Sequence, residues 1–261
     1  MAAPFESLAK VEGAEVLSAD PLTRHIHIDR GSNILGVAHI DSVQKHHGTR
    51  ITRDKIYSST VDDRIGVYMM LYGLPSLGIN CDVLLTDLEE TGMSTAQYYE
   101  PDREYKWMFQ FDRAGADVVC YQYETPKIKG ALQECGFKIG DGIFSDISYM
   151  EYMGICGFNV GCGMHDYHSK KAYVEINELV YQSSLFRYFW TFYGGTRFDW
   201  DPSMVPDDEW LWIDDMPNSG EITHSMCDFC GAWDYSSKLH EYSDSLLCDG
   251  CVDWFQSLQG A

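Results

Sequence analysis

The chain has 261 residues, 45% of them hydrophobic, which is enough for one sizeable core plus an appendage. Forty acidic residues against nineteen basic ones give a formal charge of -21, which argues against a nucleic-acid partner and favours neutral or cationic ligands. No apolar stretch is long enough to cross a bilayer, and the opening MAAPFESLAK lacks a basic segment followed by a hydrophobic one. Neither a membrane partner nor a signal peptide is therefore expected, and a cytoplasmic location is.

Taken in chain order, TRHIHIDR alternates and predicts an early strand. Its His25 and His27 lack a nearby carboxylate and are expected to face solvent or neighbouring strands rather than a metal. The run ILGVA predicts a buried strand that delivers His39 at its end, where loops build sites. Asp41, two residues on, falls on the same side of an extended chain and can accept the second ring proton of His39. In VDDRIGVYMML a helix is expected to start at the acidic pair, leaving Asp62 in the entering turn where it can bridge two cations. VLLTDLEE is another apolar strand ending in acid, and its paired carboxylates, Glu89 and Glu90, can divide metal binding and proton handling between them. WMFQFD repeats the pattern and ends at Asp112. Asp146, in GIFSDISYM, is expected to cap a helix, with a role in supporting the metal ligands as the alternative, and Asp63 and Asp87 to accept local hydrogen bonds.

The apolar run CGFNVGCGM leads into a Gly-rich loop carrying His168, and a largely buried helix over roughly residues 177 to 193 follows, its ELVYQSSLFRYFWTFY aromatic throughout. Cys81, Cys120, Cys135, Cys156 and Cys162 stand singly and are expected to be reduced, buried thiols. Strands that end in metal-binding side chains point to one crevice at the carboxyl edge of an open α/β sheet. A two-metal hydrolase needs a bridging carboxylate, further His and acidic ligands and a free carboxylate, and His39, Asp62, Glu89, Glu90, Asp112 and His168 supply that set.

In order, HID, DDRIG, EETG, FDRAGADVV and GCGMHDYHSKKAYVEINEL resemble the motifs of the co-catalytic zinc peptidase clan, which includes aminoacylases, peptidase T and zinc aminopeptidases. The resemblance covers about residues 25 to 195, and its specificity lies in five motifs in the right order. It implies an α/β fold with a mixed, mostly parallel sheet flanked by helices, and two active-site zinc ions. Carried over, His39, Asp62 and Asp112 would hold one ion, Asp62, Glu90 and His168 the other, and Glu89 would be the general base, with Asp41 orienting His39. The substrate implied is a small peptide or an N-acyl amino acid, cleaved as by an aminopeptidase, carboxypeptidase or deacylase. Only a short stretch separates Asp112 from His168, so the lid or dimerisation domain of many clan members is missing, with any oxyanion-binding residue it lends. His165, His46 and His47 are candidate substitutes, and His165 and Arg113 are candidate substrate-binding residues.

Between Arg197 and Lys238 there is no Lys or Arg, and FDWDPSMVPDDEWLWIDDMPNSGE is expected to be a partly packed acidic linker, read as a solvated spacer ahead of the alternative that Trp200, Trp210 and Trp212 dock it. Beyond it, Cys227 with Cys230 and Cys248 with Cys251 form two CxxC pairs separated by seventeen residues, the spacing of a closed, structural four-thiolate zinc site. From Glu221 to Asp253 seven acids face the single Lys238, so this module is suited to protein contact or substrate gating and not to nucleic acid. The expected organisation is a catalytic di-zinc domain over 1–198, an acidic linker over 199–222 and a small C-terminal zinc-binding module over 223–261. Two other readings are weighed: a single-zinc glutaminyl cyclase-like transferase, and a non-catalytic binding protein that keeps the peptidase fold.

Overall fold

The computed structural model describes residues 5–18 and 20–204 and, further on, the strand segments 224–226, 233–235, 239–242 and 245–248. The elements run α1 (Phe5–Leu8), β1 (Ala14–Val16), β2 (Ile26–Ile28), β3 (Leu35–His39), β4 (Arg50–Ile51), β5 (Lys55–Tyr57), α2 (Val61–Tyr68) and, through a π turn at Met69–Gly73, α3 (Leu74–Ser76). Then come β6 (Asp82–Thr86), β7 (Met108–Ala114), β8 (Val118–Val119), α4 (Pro126–Glu134), β9 (Gly157–His165), β10 (Tyr173–Glu175) and α5 (Ile176–Tyr193).

The strands form one sheet in the order β1-β2-β6-β3-β7-β9-β10-β5-β4, with β8 paired to β9. Its heart, β6-β3-β7-β9, is parallel, and antiparallel pairs extend it at both margins. The expected mixed α/β sheet flanked by helices is what forms. The central strands carry no inside-outside alternation because both faces are covered: all five residues of β3 and of β6, and eight of the nine in β9, are buried.

One face of the core is aromatic. Trp107, Phe109 and Phe158 from the sheet meet Phe186 and Phe189 of α5, with ring centroids 4.5 Å apart for Phe109 and Phe186 and 5.3 Å for Trp107 and Phe189. The buried positions of α5, Leu179, Gln182, Ser183, Phe186 and Phe189, recur at helical spacing on one face. Its other face leaves Val180, Tyr181, Tyr188 and Phe192 more than half exposed, at 58%, 55%, 51% and 59%. The expectation of a largely buried helix is thus corrected: α5 caps the sheet from outside, and no further layer among the described residues covers its aromatic outer face. The five single cysteines are free and buried, as expected.

The spacer predicted after residue 198 does not begin in solvent. Trp200 is 6% exposed, donates its indole N–H to the Gln122 carbonyl at 2.8 Å and stands edge-on to Tyr123. Compact grouping of the chain puts residues 1–89 and 94–205 in a larger unit and the rest in a smaller one. In the smaller unit β11 (His224–Met226) pairs with β12 (Trp233–Tyr235), and β13 (Leu239–Tyr242) with β14 (Ser245–Cys248), both antiparallel. Trp210, Trp212, Cys227, Cys230 and Cys251 lie outside the described residues, and with them the expected thiolate site.

His25 and His27, expected toward solvent or neighbouring strands, are both buried on β2 and its approach. His27 Nε2 is 3.2 Å from the Tyr105 hydroxyl, which donates to Asp82 at 3.0 Å and lies 3.0 Å from the Tyr99 hydroxyl. Burial holds both imidazoles below their ordinary value. A histidine depressed in the folded state contributes stability above its unfolded pKa, near 6.5, that is lost as pH falls. Relative to His25→Gln, the parent should lose stability between about pH 7 and pH 5. Urea unfolding midpoints across that range test this; a constant difference between the two proteins would contradict it.

Candidate metal centre

The carboxyl ends of the four central parallel strands deliver the site. β3 ends at His39, which is fully buried. Three residues past β6 lies the one-turn helix Glu89–Thr91. Asp112 sits in β7 where its pairing with β9 shifts register between Gln110 and Arg113, a bulge that re-aims the strand. The loop after β9 brings His168. Asp62 and Asp63 stand at the start of α2 with non-helical backbone angles, so the regular helix starts only after them; the peptide bond between them is cis.

These side chains converge. His39 Nε2 is 3.2 Å from Asp62, 3.5 Å from Asp112 and 3.8 Å from Glu89, while its Nδ1 faces Asp41 at 3.3 Å. His168 Nε2 is 3.0 Å from the other Asp62 oxygen. Two groups of potential ligands therefore form, His39 with Asp62 and Asp112, and Asp62 with Glu90 and His168, the ligand atoms in each lying within 4.8 Å of one another. Asp62 belongs to both.

The electrostatics explain what such a cluster requires. Burial raises Asp112 to about 7, against the opposing pull of His39. Burial, with Asp112, Asp146 and Asp62 nearby, pushes Glu89 well above the usual carboxylate range. Asp63 is raised in the same way by burial and Asp112. Burial alone would depress His39, but Asp112, Asp41 and Asp62 outweigh it and drive the ring well above its normal value. Asp62 is lowered despite its burial, because His168 and His39 both bond it. Carboxylates crowded and dehydrated to this degree call for a cation, and a donor set of imidazole nitrogen and carboxylate oxygen suits zinc. The residues fit the metal.

Backbone strain marks the loops that carry the site. Leu88, Asp166 and His168 adopt left-handed φ values of 65°, 50° and 60° although none is glycine. The helix glycine of DDRIG also has a steric reason: a Cβ on Gly66 would lie 2.3 Å from both oxygens of Asp63, which accepts the Gly66 N–H at 2.8 Å. Asp63 and Asp87 are acceptors as expected, Asp87 taking the Leu88 N–H and the Arg24 guanidinium.

Asp146 is not the cap. Ser145 caps that turn, and the fully buried Asp146 accepts hydrogen bonds from Thr86, Ser94 and Gln110. Gln110 in turn accepts from the Ser145 hydroxyl at 2.7 Å, Ser145 lies 3.2 Å from Asp112, and Asn159 accepts the Asp112 N–H at 2.9 Å. Of this supporting network only Asp146 is weighed from the sequence, as the alternative to a cap; Ser145, Asn159 and Gln110 are not, although Gln110 stands out as a polar residue inside the otherwise apolar WMFQF. Among the candidate substitutes for a lid and the candidate substrate-binding residues, His165 is 3.0 Å from Glu178 and stacks on Tyr173, Arg113 is paired at both ends of its fork with Asp117, and His46 contacts Thr60 and Ser58.

No protein-family model matches the chain, and no curated protein does. Solved structures do. A tripeptidase from Staphylococcus aureus is 12% identical with a TM-score of 0.53, the match covering 70% of this chain and 90% of that one. Aminopeptidase PepT from Bacillus cereus is 12% identical at a TM-score of 0.49, covering 68% and 88%. An aminopeptidase from the archaeon Desulfurococcus kamchatkensis is 15% identical at 0.47, covering 64% and 82%. The likeness to the tripeptidase establishes a shared fold. Among the described residues, no helix is long and apolar enough to cross a membrane.

Proposed function

We propose that this chain is a zinc-dependent hydrolase that cleaves the amide bond of a small peptide or N-acyl amino acid. The observation that carries the reading is the pair of ligand groups sharing Asp62 at the carboxyl ends of parallel strands. His39, Asp62 and Asp112 would hold one ion, and Asp62, Glu90 and His168 the other. Once bound, the two ions would lower the pKa of an attacking water and polarise the scissile carbonyl.

The chain's own residues do the rest. Asp41, beside His39 Nδ1, keeps that ring in the tautomer that leaves Nε2 free to bind metal. Glu89 takes a proton from the attacking water as the new C–O bond forms and then delivers it to the amine nitrogen, which leaves as the C–N bond breaks. Its dehydrated setting raises the carboxyl above the usual carboxylate range, which makes it a stronger base than an exposed glutamate. Ser145, Gln110 and Asn159 hold Asp112 in place.

Metal content together with a screen of dipeptides and acyl-amino acids tests the reading. Two active-site zinc ions and peptide or acyl hydrolysis are expected; a single active-site zinc and ring closure of an N-terminal glutaminyl residue would favour the cyclase-like transferase instead. Binding of these compounds without turnover would favour a binding protein.

For the C-terminal region we propose, on the cysteine spacing, one structural zinc held by Cys227, Cys230, Cys248 and Cys251, in a catalytic domain–linker–module arrangement bounded at 198 and 222. Cys248→Ser is expected to release one zinc per chain and to admit protease after about residue 200, while active-site zinc stays bound. Equal zinc content and equal protease resistance in variant and parent would remove the thiolate site.

A further inference from the structure

Asp146 is fully buried, and among the described residues its carboxylate is met by neutral donors, the Thr86 and Ser94 hydroxyls on Oδ1 and the Gln110 amide on Oδ2. A carboxylate only accepts, whereas an amide or a hydroxyl can also donate, so Asp146 fixes the direction of the bonds made to it. Gln110 must turn its NH2 to Asp146, 2.8 Å away. Its carbonyl oxygen is thereby presented to the Ser145 hydroxyl at 2.7 Å and to the Ile147 N–H at 3.1 Å.

The two carboxylate oxygens serve two parts of the metal centre. Oδ1 takes Thr86, the last residue of β6, at 2.8 Å and also Ser94, so both ends of the segment 87–93, which carries Glu89 and Glu90, are pinned to one atom. Thr95 closes the same loop, its N–H bonding the Asp87 carbonyl at 2.9 Å and its hydroxyl accepting the Asp87 N–H at 2.8 Å. Oδ2 serves Asp112. Gln110 precedes Asp112 by two residues on β7, and the turn that Gln110 secures places Ser145 3.2 Å from the Asp112 carboxylate. Thr86, Ser94, Gln110 and Ser145 are themselves buried, so water does not replace a bond lost among them.

Resting on the hydrolase reading for its catalytic consequence, we infer that Asp146 is a positioning residue that sets Glu89 and Asp112 in register, one oxygen holding the loop of the first and the other, through Gln110, the strand of the second. The physical need is plain from the sheet. Glu89 follows β6 and Asp112 lies on β7, and β3 stands between those strands, so no backbone ladder bonds one to the other. A side-chain bridge supplies the link, and a base and a metal ligand must keep their relative placement to within about 0.5 Å.

The test reverses the polarity of the bridge. Asp146→Asn brings a second NH2 to a site built for an acceptor, and Gln110→Glu sets two buried carboxylates face to face. Together they restore each bond: the new amide donates to the new carboxylate, which still accepts from Ser145 and Ile147, while the amide oxygen accepts from Thr86 and Ser94. Zinc affinity is measured on the full chain by chelator competition, beside kcat, KM and the urea midpoint. Each single variant should bind active-site zinc about tenfold or more weakly and, at saturating zinc, lose kcat with little change in KM. The double variant should recover both to within about threefold of the parent. A merely structural role would lower the urea midpoint and leave the zinc affinity and kcat of the folded chain unchanged. That outcome would overturn the inference, as would a double variant no better than the worse single one, whether it folds or not. Zinc affinity lost in the single variants and recovered in the double one, without hydrolysis by any of the proteins, would leave the positioning role standing and remove the hydrolase reading.

Discussion

Glu89→Gln is expected to keep the fold and both active-site metals while turnover falls on the order of 10²- to 10⁴-fold, the range for loss of a general base. Glutamine matches the size of glutamate, so the turn at Glu89–Thr91 and the Glu89 N–H contact to Asp41, at 3.3 Å, need not change. What is lost is the ability to carry a proton. Glu89 belongs to neither ligand group, yet its carboxylate stands 3.8 Å from the His39 nitrogen that does. On the proposed reading it is close enough to serve the site without itself holding metal. Stopped assays with metal analysis on the same sample decide the matter: near-normal turnover at full occupancy would sink the assignment, and loss of metal would make Glu89 a ligand instead.

Asp62→Ala should be the most damaging single substitution at the centre, costing more than His39→Ala or His168→Ala. Each histidine serves one group, whereas Asp62 serves both. Its removal also takes away the shared negative charge between two cations, whose repulsion in a partly dehydrated cleft then expels at least one. Zinc titrated into chelator-treated variants should reveal one weakened active-site position in each histidine variant and two in Asp62→Ala. A variant that binds two active-site zinc ions as tightly as the parent would remove the bridging role, and with it the main ground for a two-metal hydrolase over a one-metal cyclase.

Much of the arrangement was legible locally. A short apolar run such as ILGVA or VLLT favours a buried strand over a helix because it is too short for one, and a strand buried on both faces tends to end where its first charged residues reach solvent or a site. That is why His39 and the Glu89–Glu90 pair could be placed from the order of residues alone, and why α5, expected over roughly 177 to 193, occurs at Ile176–Tyr193. Gly66 shows the same logic at the scale of one atom, since DDRIG leaves room there for the Asp63 carboxylate.

Contacts between distant segments were not legible, because nothing in a local pattern encodes them. The strand order β6-β3-β7-β9 is not the chain order, and it alone brings Asp112 to 3.5 Å from His39. Asp146 reads locally as a helix cap, but the packed sheet leaves its carboxylate facing Thr86, Ser94 and Gln110, where buried polar groups must find partners. Trp200 reads as part of a solvated acidic stretch, yet a pocket beside Tyr123 removes its apolar surface from water. The aromatics of α5 read as core all round, whereas a helix packed on the outside of one face of the sheet can bury only one face of its own. Composition and spacing thus determined the elements and the chemical character of the site, because those follow from burial and charge along one strand or helix. The tertiary structure decided which carboxylates share an imidazole, because that depends on the register of chain segments far apart in sequence.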